Sequence, residues 1–253
     1  RLTMAESFGS RHHAAWYHAS RQEFLSHDGT NITNHLAGRA IDESLEVEHE
    51  QKSEWTHSVE VIQSSLNDRI SLLRDALDSP QLGSIHHVVL EFDFRRRGLR
   101  MDCILLGAGI IFVLEFKRTK FGRADRDQVM NYAVNLLEFH EATRVWCTEY
   151  GAVVLPVLVL TQGKSKNAPE WPGLAGHSWS SISHQPLECD RHTLRGAIEL
   201  GLENRRTEVE VSCSEWLDSP FLPSSSIIDI GETEPRCRRN LTLRETEHLA
   251  PLG

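Results

Sequence analysis

The stretch that decides the fold runs from His86 to Tyr132: HHVVLEFDFRRRGLRMDCILLGAGIIFVLEFKRTKFGRADRDQVMNY. It holds three short apolar runs, residues 88–94, 101–106 and 110–117, each bounded by turn residues, which predicts three strands. Gly107-Ala108-Gly109 between the last two predicts a tight turn and therefore antiparallel neighbours. Set into these runs are charges: Asp102 in one, and Glu115 and Lys117 on either side of Phe116 in the next. Charged groups seldom enter buried strands unless they are paired or hold a metal.

Side chains two apart on a strand share a face at about 6.5–7 Å, so Glu115 and Lys117 point the same way. Phe116 points oppositely, into the core, while its carbonyl stays at the strand edge. Asp102, on the preceding antiparallel strand, reaches that edge as well. Two carboxylates and a carbonyl make a hard oxygen site suited to Mg²⁺ or Mn²⁺ rather than zinc. A lysine beside such a site orients water or offsets charge developing on a phosphorane.

Asp102 followed by Glu115-Phe116-Lys117 on the next strand resembles the PD-(D/E)xK nuclease superfamily. The proline of that motif is replaced here by Met101. Gln128 and Tyr132, one helical turn apart and so on one face, resemble the QxxxY motif of the RecB-like branch. The resemblance implies an α/β fold with a restriction-endonuclease-like αβββαβ core, a mixed sheet flanked by helices. It also implies metal-dependent hydrolysis of DNA, or RNA, leaving a 5′-phosphate and a 3′-hydroxyl. Asp102, Glu115 and the Phe116 carbonyl would hold the metal. Lys117 would position and help deprotonate the attacking water, and Gln128 and Tyr132 would hold the substrate. An acid from the first helix often completes such a site, which points to Glu54 or Glu60, and Glu91 is a further ligand candidate or an arginine partner.

Around this centre, residues 48–78 read as a long helix: Trp55, Val59, Ile62, Leu66, Ile70, Leu73 and Leu77 recur at three- and four-residue steps. Residues 124–141 read as a second helix. Residues 152–161 (AVVLPVLVLT) read as a buried fourth strand in which Pro156 predicts an edge position or a bulge. Residues 191–203 read as a third helix. Residues 14–25 read as a helix within an N-terminal helical arm, 1–47, with a second short helix at 32–36. The expected core is 48–205, and 206–253 is expected to be an irregular C-terminal extension, extended over 216–230. The tip arginines, Arg96 among them, together with Arg100, are phosphate contacts or a soluble turn. Gly163-Lys164-Ser165 lacks the upstream glycine of a phosphate-binding loop, since Leu158 stands there. His12, His13 and His18 read as polar residues of the arm.

The 253 residues carry a net charge of −9, with 40% hydrophobic and 25% charged residues, ordinary for a globular chain. That charge weighs against nucleic-acid binding except through local basic patches such as Arg95–Arg97 and the segment from Lys117 to Arg126. The five cysteines show no Cys-x-x-Cys spacing, which predicts a reduced, cytoplasmic protein, and with no run of about 18 apolar residues no membrane span is expected. The order of these segments, with Trp216 through Ile228, resembles the nuclease-like N-terminal region of bacterial Schlafen-like P-loop helicase proteins. That resemblance implies a helicase domain in a longer parent chain, and the first residue, Arg1 rather than Met, also suggests a longer parent. Two readings follow: a metal-dependent nuclease of repair, restriction or phage defence, or a catalytically weak nucleic-acid-binding module that regulates a helicase.

Overall fold

A computed structural model describes residues 14–47, 55–176 and 180–222. Six strands form one mixed sheet in sequence order: β1 (Ala14–Ser20), β2 (Ile85–Phe94), β3 (Leu99–Gly107), β4 (Ile110–Lys117), β5 (Val153–Leu160) and β6 (Leu187–Asp190). The first four are antiparallel, and β4, β5 and β6 are parallel. One face of the sheet is covered by α1 (Arg21–Ser26), α2 (Gly29–Val47), α3 (Trp55–Leu77) and α6 (Leu194–Glu203). The other is covered by α4 (Arg123–Phe139), α5 (Glu141–Tyr150) and α7 (Cys213–Leu217). The fold is α/β, and the order α3-β2-β3-β4-α4-β5 is the expected αβββαβ, with α5 inserted before its last strand. Among the described residues no helix is long and apolar enough to cross a membrane.

The apolar stripe of α3 behaves as its spacing demands. Leu66, Ile70, Leu73 and Leu77 are buried against the sheet. The β3–β4 turn also forms as expected, and Gly109 adopts a left-handed backbone, φ +71. A Cβ on Gly109 would lie 1.8 Å from the Thr207 carbonyl oxygen. Gly109→Ala should therefore destabilise the protein by about 2 kcal/mol or more, from backbone strain and steric overlap together. Chemical denaturation measures this; a loss below about 0.5 kcal/mol would mean the turn tolerates a side chain.

Several expectations need correction. Residues 14–20 are not helical; they add β1 to the sheet against β2, with Tyr17 opposite Leu90 and Ala15 opposite Phe92. The arm becomes helical only at Arg21, where Ser20 caps α1 and Glu23 bonds back to the Ser20 N–H. The helix expected at 32–36 is the N-terminal part of the longer α2.

The Pro156 strand is not at an edge, because β4 and β6 flank β5. Val154 N–H donates to the Ser181 carbonyl on the β6 side, and backbone alternation turns the Pro156 nitrogen the same way. The β5–β6 ladder begins only at Val157. Pro156 thus stands where β5 lacks a partner on that side, so no ladder bond is lost. β6 itself lies between the expected strand at 152–161 and the expected helix at 191–203, where no element was read.

The region after Glu203 is not all irregular. Val209 accepts from Gly109 N–H and Trp146 Nε1–H. Trp216 of α7 is fully buried and donates to Thr143 Oγ1 at 2.9 Å. Residues 206–222 therefore belong to the α4–α5 face of the core. The expected extended segment beyond Leu222, His12, His13 and Glu54 lie outside the described residues.

Candidate active site

The site forms where the sheet departs from regularity. Val88 and Leu90 of β2 pack in the α3-side core, yet Phe92 and Phe94, of the same parity, pack in the α4-side core. A left-handed backbone at Glu91, φ 49, causes the exchange. That conformation is uncommon for a non-glycine residue and stores about 1–3 kcal/mol. Across the ladder the same exchange falls at Asp102, between Met101 and Cys103. Glu91 and Asp102 are skipped in the β2–β3 register, between the pairs Leu90–Cys103 and Phe92–Met101. Strict strand alternation would put Leu90, Phe92 and Phe94 on one face, and the exchange at Glu91 breaks it.

The β3–β4 ladder ends just as abruptly, at Cys103–Leu114. The next β4 donor facing β3, Phe116 N–H, bonds to Asp102 Oδ2 at 2.9 Å instead of to a β3 carbonyl. Phe116 thus presents its N–H, and by alternation its carbonyl, to the carboxylate. Its ring packs in the α3-side core.

Four expected residues meet on the α4 side. Lys117 Nζ lies 3.0 Å from Glu115 Oε1 and 3.0 Å from Asp125 Oδ1, and donates to Gln128 Oε1 at 3.2 Å. Gln128 Nε2 in turn donates to Tyr132 Oη at 2.6 Å. The one-turn spacing of Gln128 and Tyr132 thus makes a single polar chain running from β4 along α4. On the α3 side, Arg69 Nη1 lies 2.9 Å from Asp102 Oδ1 and 3.4 Å from Glu91 Oε1. Arg100 Nε lies 3.2 Å from Glu91 Oε2.

Arg96 is not part of this group; its guanidinium lies over the Phe221 ring at 5.2 Å. Glu91 is held by arginines, which favours its reading as an arginine partner. Glu60 lines a cleft of about 400 Å³ between α3 and the ends of β4 and β5, with Asp68, Arg69, Lys117, Arg118 and Gln162. The described part of α3 sends a cation, Arg69, to the acids in place of the expected carboxylate.

Sequence reasoning missed Arg69 and Asp125. A signal existed for each. Arg69 interrupts the apolar stripe of α3, between Leu66 and Ile70. Asp125 stands three residues after Gly122 at a helix start, where its Oδ2 accepts the Gly122 N–H at 2.8 Å.

Burial and the nearby Asp102 charge push the Glu115 carboxyl up to about 7 from 4.5. For Lys117, burial alone pulls downward, but hydrogen bonds to Asp125 and Glu115 outweigh it and raise the ammonium. Lys117 therefore stays charged at neutral pH. An ammonium has no lone pair with which to take a proton, so the group offers charge rather than base strength. Burial pushes the Tyr132 phenol up as well.

Whether a divalent cation fits can be judged from Glu115. Its Oε2 is buried without a hydrogen-bond partner. A buried carboxylate oxygen with no donor is costly unless a cation meets it. The donor set of Glu115, Asp102 and the Phe116 carbonyl is all oxygen, the chemistry Mg²⁺ and Mn²⁺ prefer. No grouping of three or more His, Cys, Asp or Glu poised to ligate a metal occurs among the described residues, and Arg69 and Arg100 hold the third acid, Glu91. The residues fit a two-carboxylate site completed by a carbonyl.

No family model, curated protein or solved structure matches the chain.

Proposed function

We propose that the protein is a metal-dependent nuclease of the PD-(D/E)xK type that hydrolyses phosphodiester bonds, with DNA as its substrate. The observation that carries this reading is the convergence of Asp102, Glu115 and Lys117 at the point where β3 and β4 part, with one Glu115 oxygen left without a donor. Asp102, Glu115 and the Phe116 carbonyl would hold Mg²⁺ or Mn²⁺, which when bound supplies Lewis-acid polarisation of the phosphoryl group. Asp125, Glu115 and Gln128 fix the Lys117 ammonium, which offsets charge on the phosphorane oxygens. Gln128 and Tyr132 line the α4 side and position the substrate strand. Arg118 and Gln162, in the adjoining cleft, suit a phosphate backbone. A cytoplasmic setting accords with the four cysteines among the described residues, which are buried and unpaired and whose thiols burial pushes up.

The test is incubation with linear and covalently closed DNA, with Mg²⁺ or Mn²⁺ and with chelator. Metal-dependent cleavage is expected, and attack on linear DNA alone would identify an exonuclease. Binding without cleavage under every condition would replace the reading with that of a nucleic-acid-binding module serving a helicase.

Glu115 also predicts a pH dependence for the metal-free protein. Its folded pKa lies above the unfolded value, so the folded state holds the proton more tightly. The stability this contributes is full below about pH 4.5 and is lost as pH rises through about 7. Denaturant unfolding at pH 5 and pH 8 should show wild type losing more stability over that interval than Glu115→Gln. Equal losses would mean that the carboxyl titrates as an ordinary surface acid.

A further inference from the structure

Arg69 stands on the boundary between the acids and the open cleft. Its Nη1 reaches Asp102 Oδ1 and Glu91 Oε1, its guanidinium lies over the Phe116 ring at 5.7 Å, and the residue lines the cleft with Ser64, Ser65, Thr161 and Gln162. Asp102 Oδ2 is already held by the Phe116 N–H. Asp102 Oδ1 is therefore the oxygen that both Arg69 and an incoming divalent cation require. Two cations cannot share it at close range without strong repulsion.

We propose that Arg69 is an exchangeable cation. It neutralises the acids while metal is absent, and metal entry releases it into the cleft, where its guanidinium meets a phosphate of the substrate. This rests on the nuclease reading of the same acids. Three features support exchange over a fixed structural ion pair. Glu91 keeps a second partner, Arg100, so departure of Arg69 strands no charge there. The Arg69 side chain is 24% exposed, on the cleft side, so release needs no rebuilding of the core. The planar guanidinium fork suits bidentate binding of a phosphate as well as of a carboxylate. Metal occupancy and substrate binding would then be coupled: each displaces or recruits the same side chain, and the coupling is reciprocal.

The test is calorimetric titration of Mn²⁺ into the metal-free protein for wild type, Arg69→Gln and Arg69→Lys. Removing the competing charge should tighten Mn²⁺ binding roughly tenfold or more in Arg69→Gln, whereas Arg69→Lys, which keeps the charge, should stay near wild type. A second measurement needs no variant fold. In wild type, the Arg69 Nε–H resonance should shift on saturation with diamagnetic Mg²⁺ and lose its protection from solvent exchange. Equal or weaker Mn²⁺ binding by Arg69→Gln, or an unmoved Arg69 resonance at saturating Mg²⁺, overturns the exchange and leaves the nuclease reading standing. Absence of Mn²⁺ binding in wild type and both variants overturns the two together.

Discussion

Lys117→Ala should lower single-turnover cleavage of DNA by roughly 10²–10³, the usual cost of losing one well-placed electrostatic contact in the transition state. Mn²⁺ affinity and DNA affinity should change far less. The reason is local. Lys117 is held on three sides, by Glu115, Asp125 and Gln128, and hydrogen bonding raises its ammonium. It cannot ligate a metal while charged, and its position is fixed before substrate arrives. A binding module would behave differently. There Lys117 would be one phosphate contact among several, and its loss would weaken binding and lower the salt slope by about one unit. Affinity across a salt series and single-turnover cleavage, measured on this one variant, separate the two. Unchanged cleavage with a shallower salt slope would make Lys117 a phosphate contact outside the chemical step.

Asp102→Asn should weaken Mn²⁺ binding by roughly 100-fold or more and remove cleavage with it. The substitution is nearly isosteric, and an amide oxygen can still accept the Phe116 N–H, so the parting of β3 and β4 should persist. What disappears is the negative charge that draws a cation to Glu115 and the Phe116 carbonyl. Near-neutral amide oxygens bind Mg²⁺ and Mn²⁺ poorly without carboxylate partners. Calorimetry with wild type beside Asp102→Asn measures the change, and equal affinities would place the metal elsewhere.

The strands around the site were legible because each is buried on both faces and bounded by turn residues. The 110–117 strand matched residue for residue, and the α3 stripe followed its period. β1 was misread for a physical reason. Trp16 and Tyr17 are adjacent and both buried, so the alternation that marks a half-exposed strand is absent. Ser20-Arg21-Gln22-Glu23, a capping box, marked the true helix start. The charged residues stood out in the sequence because they interrupt apolar runs, whereas most of their contacts did not. Nothing local in Glu91 announces a left-handed backbone; the ion pairs with Arg69 and Arg100 hold it there. Arg69 was passed over, although it interrupts the stripe, because a charge at that position usually reaches solvent along its own stem. Arg96 was overvalued because an arginine-rich tip looks like a phosphate contact until an aromatic ring is found beneath it.

The place of β1 also bears on how the chain is made. Ala14–Ser20 pairs with β2, and His18 sits opposite Val89, about seventy residues later in the chain. At a synthesis rate of about 5–20 residues per second, roughly 4–14 seconds pass between emergence of the two partners. Through that interval Trp16 and Tyr17 have no sheet to cover them, and the bare strand edge is open to pairing with another nascent copy. Helices α1 and α2 emerge in the meantime and supply Phe24, Ile32 and Leu36, which lie in the same core as Trp16 and Tyr17. The side chains available to cover Trp16 and Tyr17 before β2 is synthesised are thus those of the N-terminal helices that share their core in the finished fold.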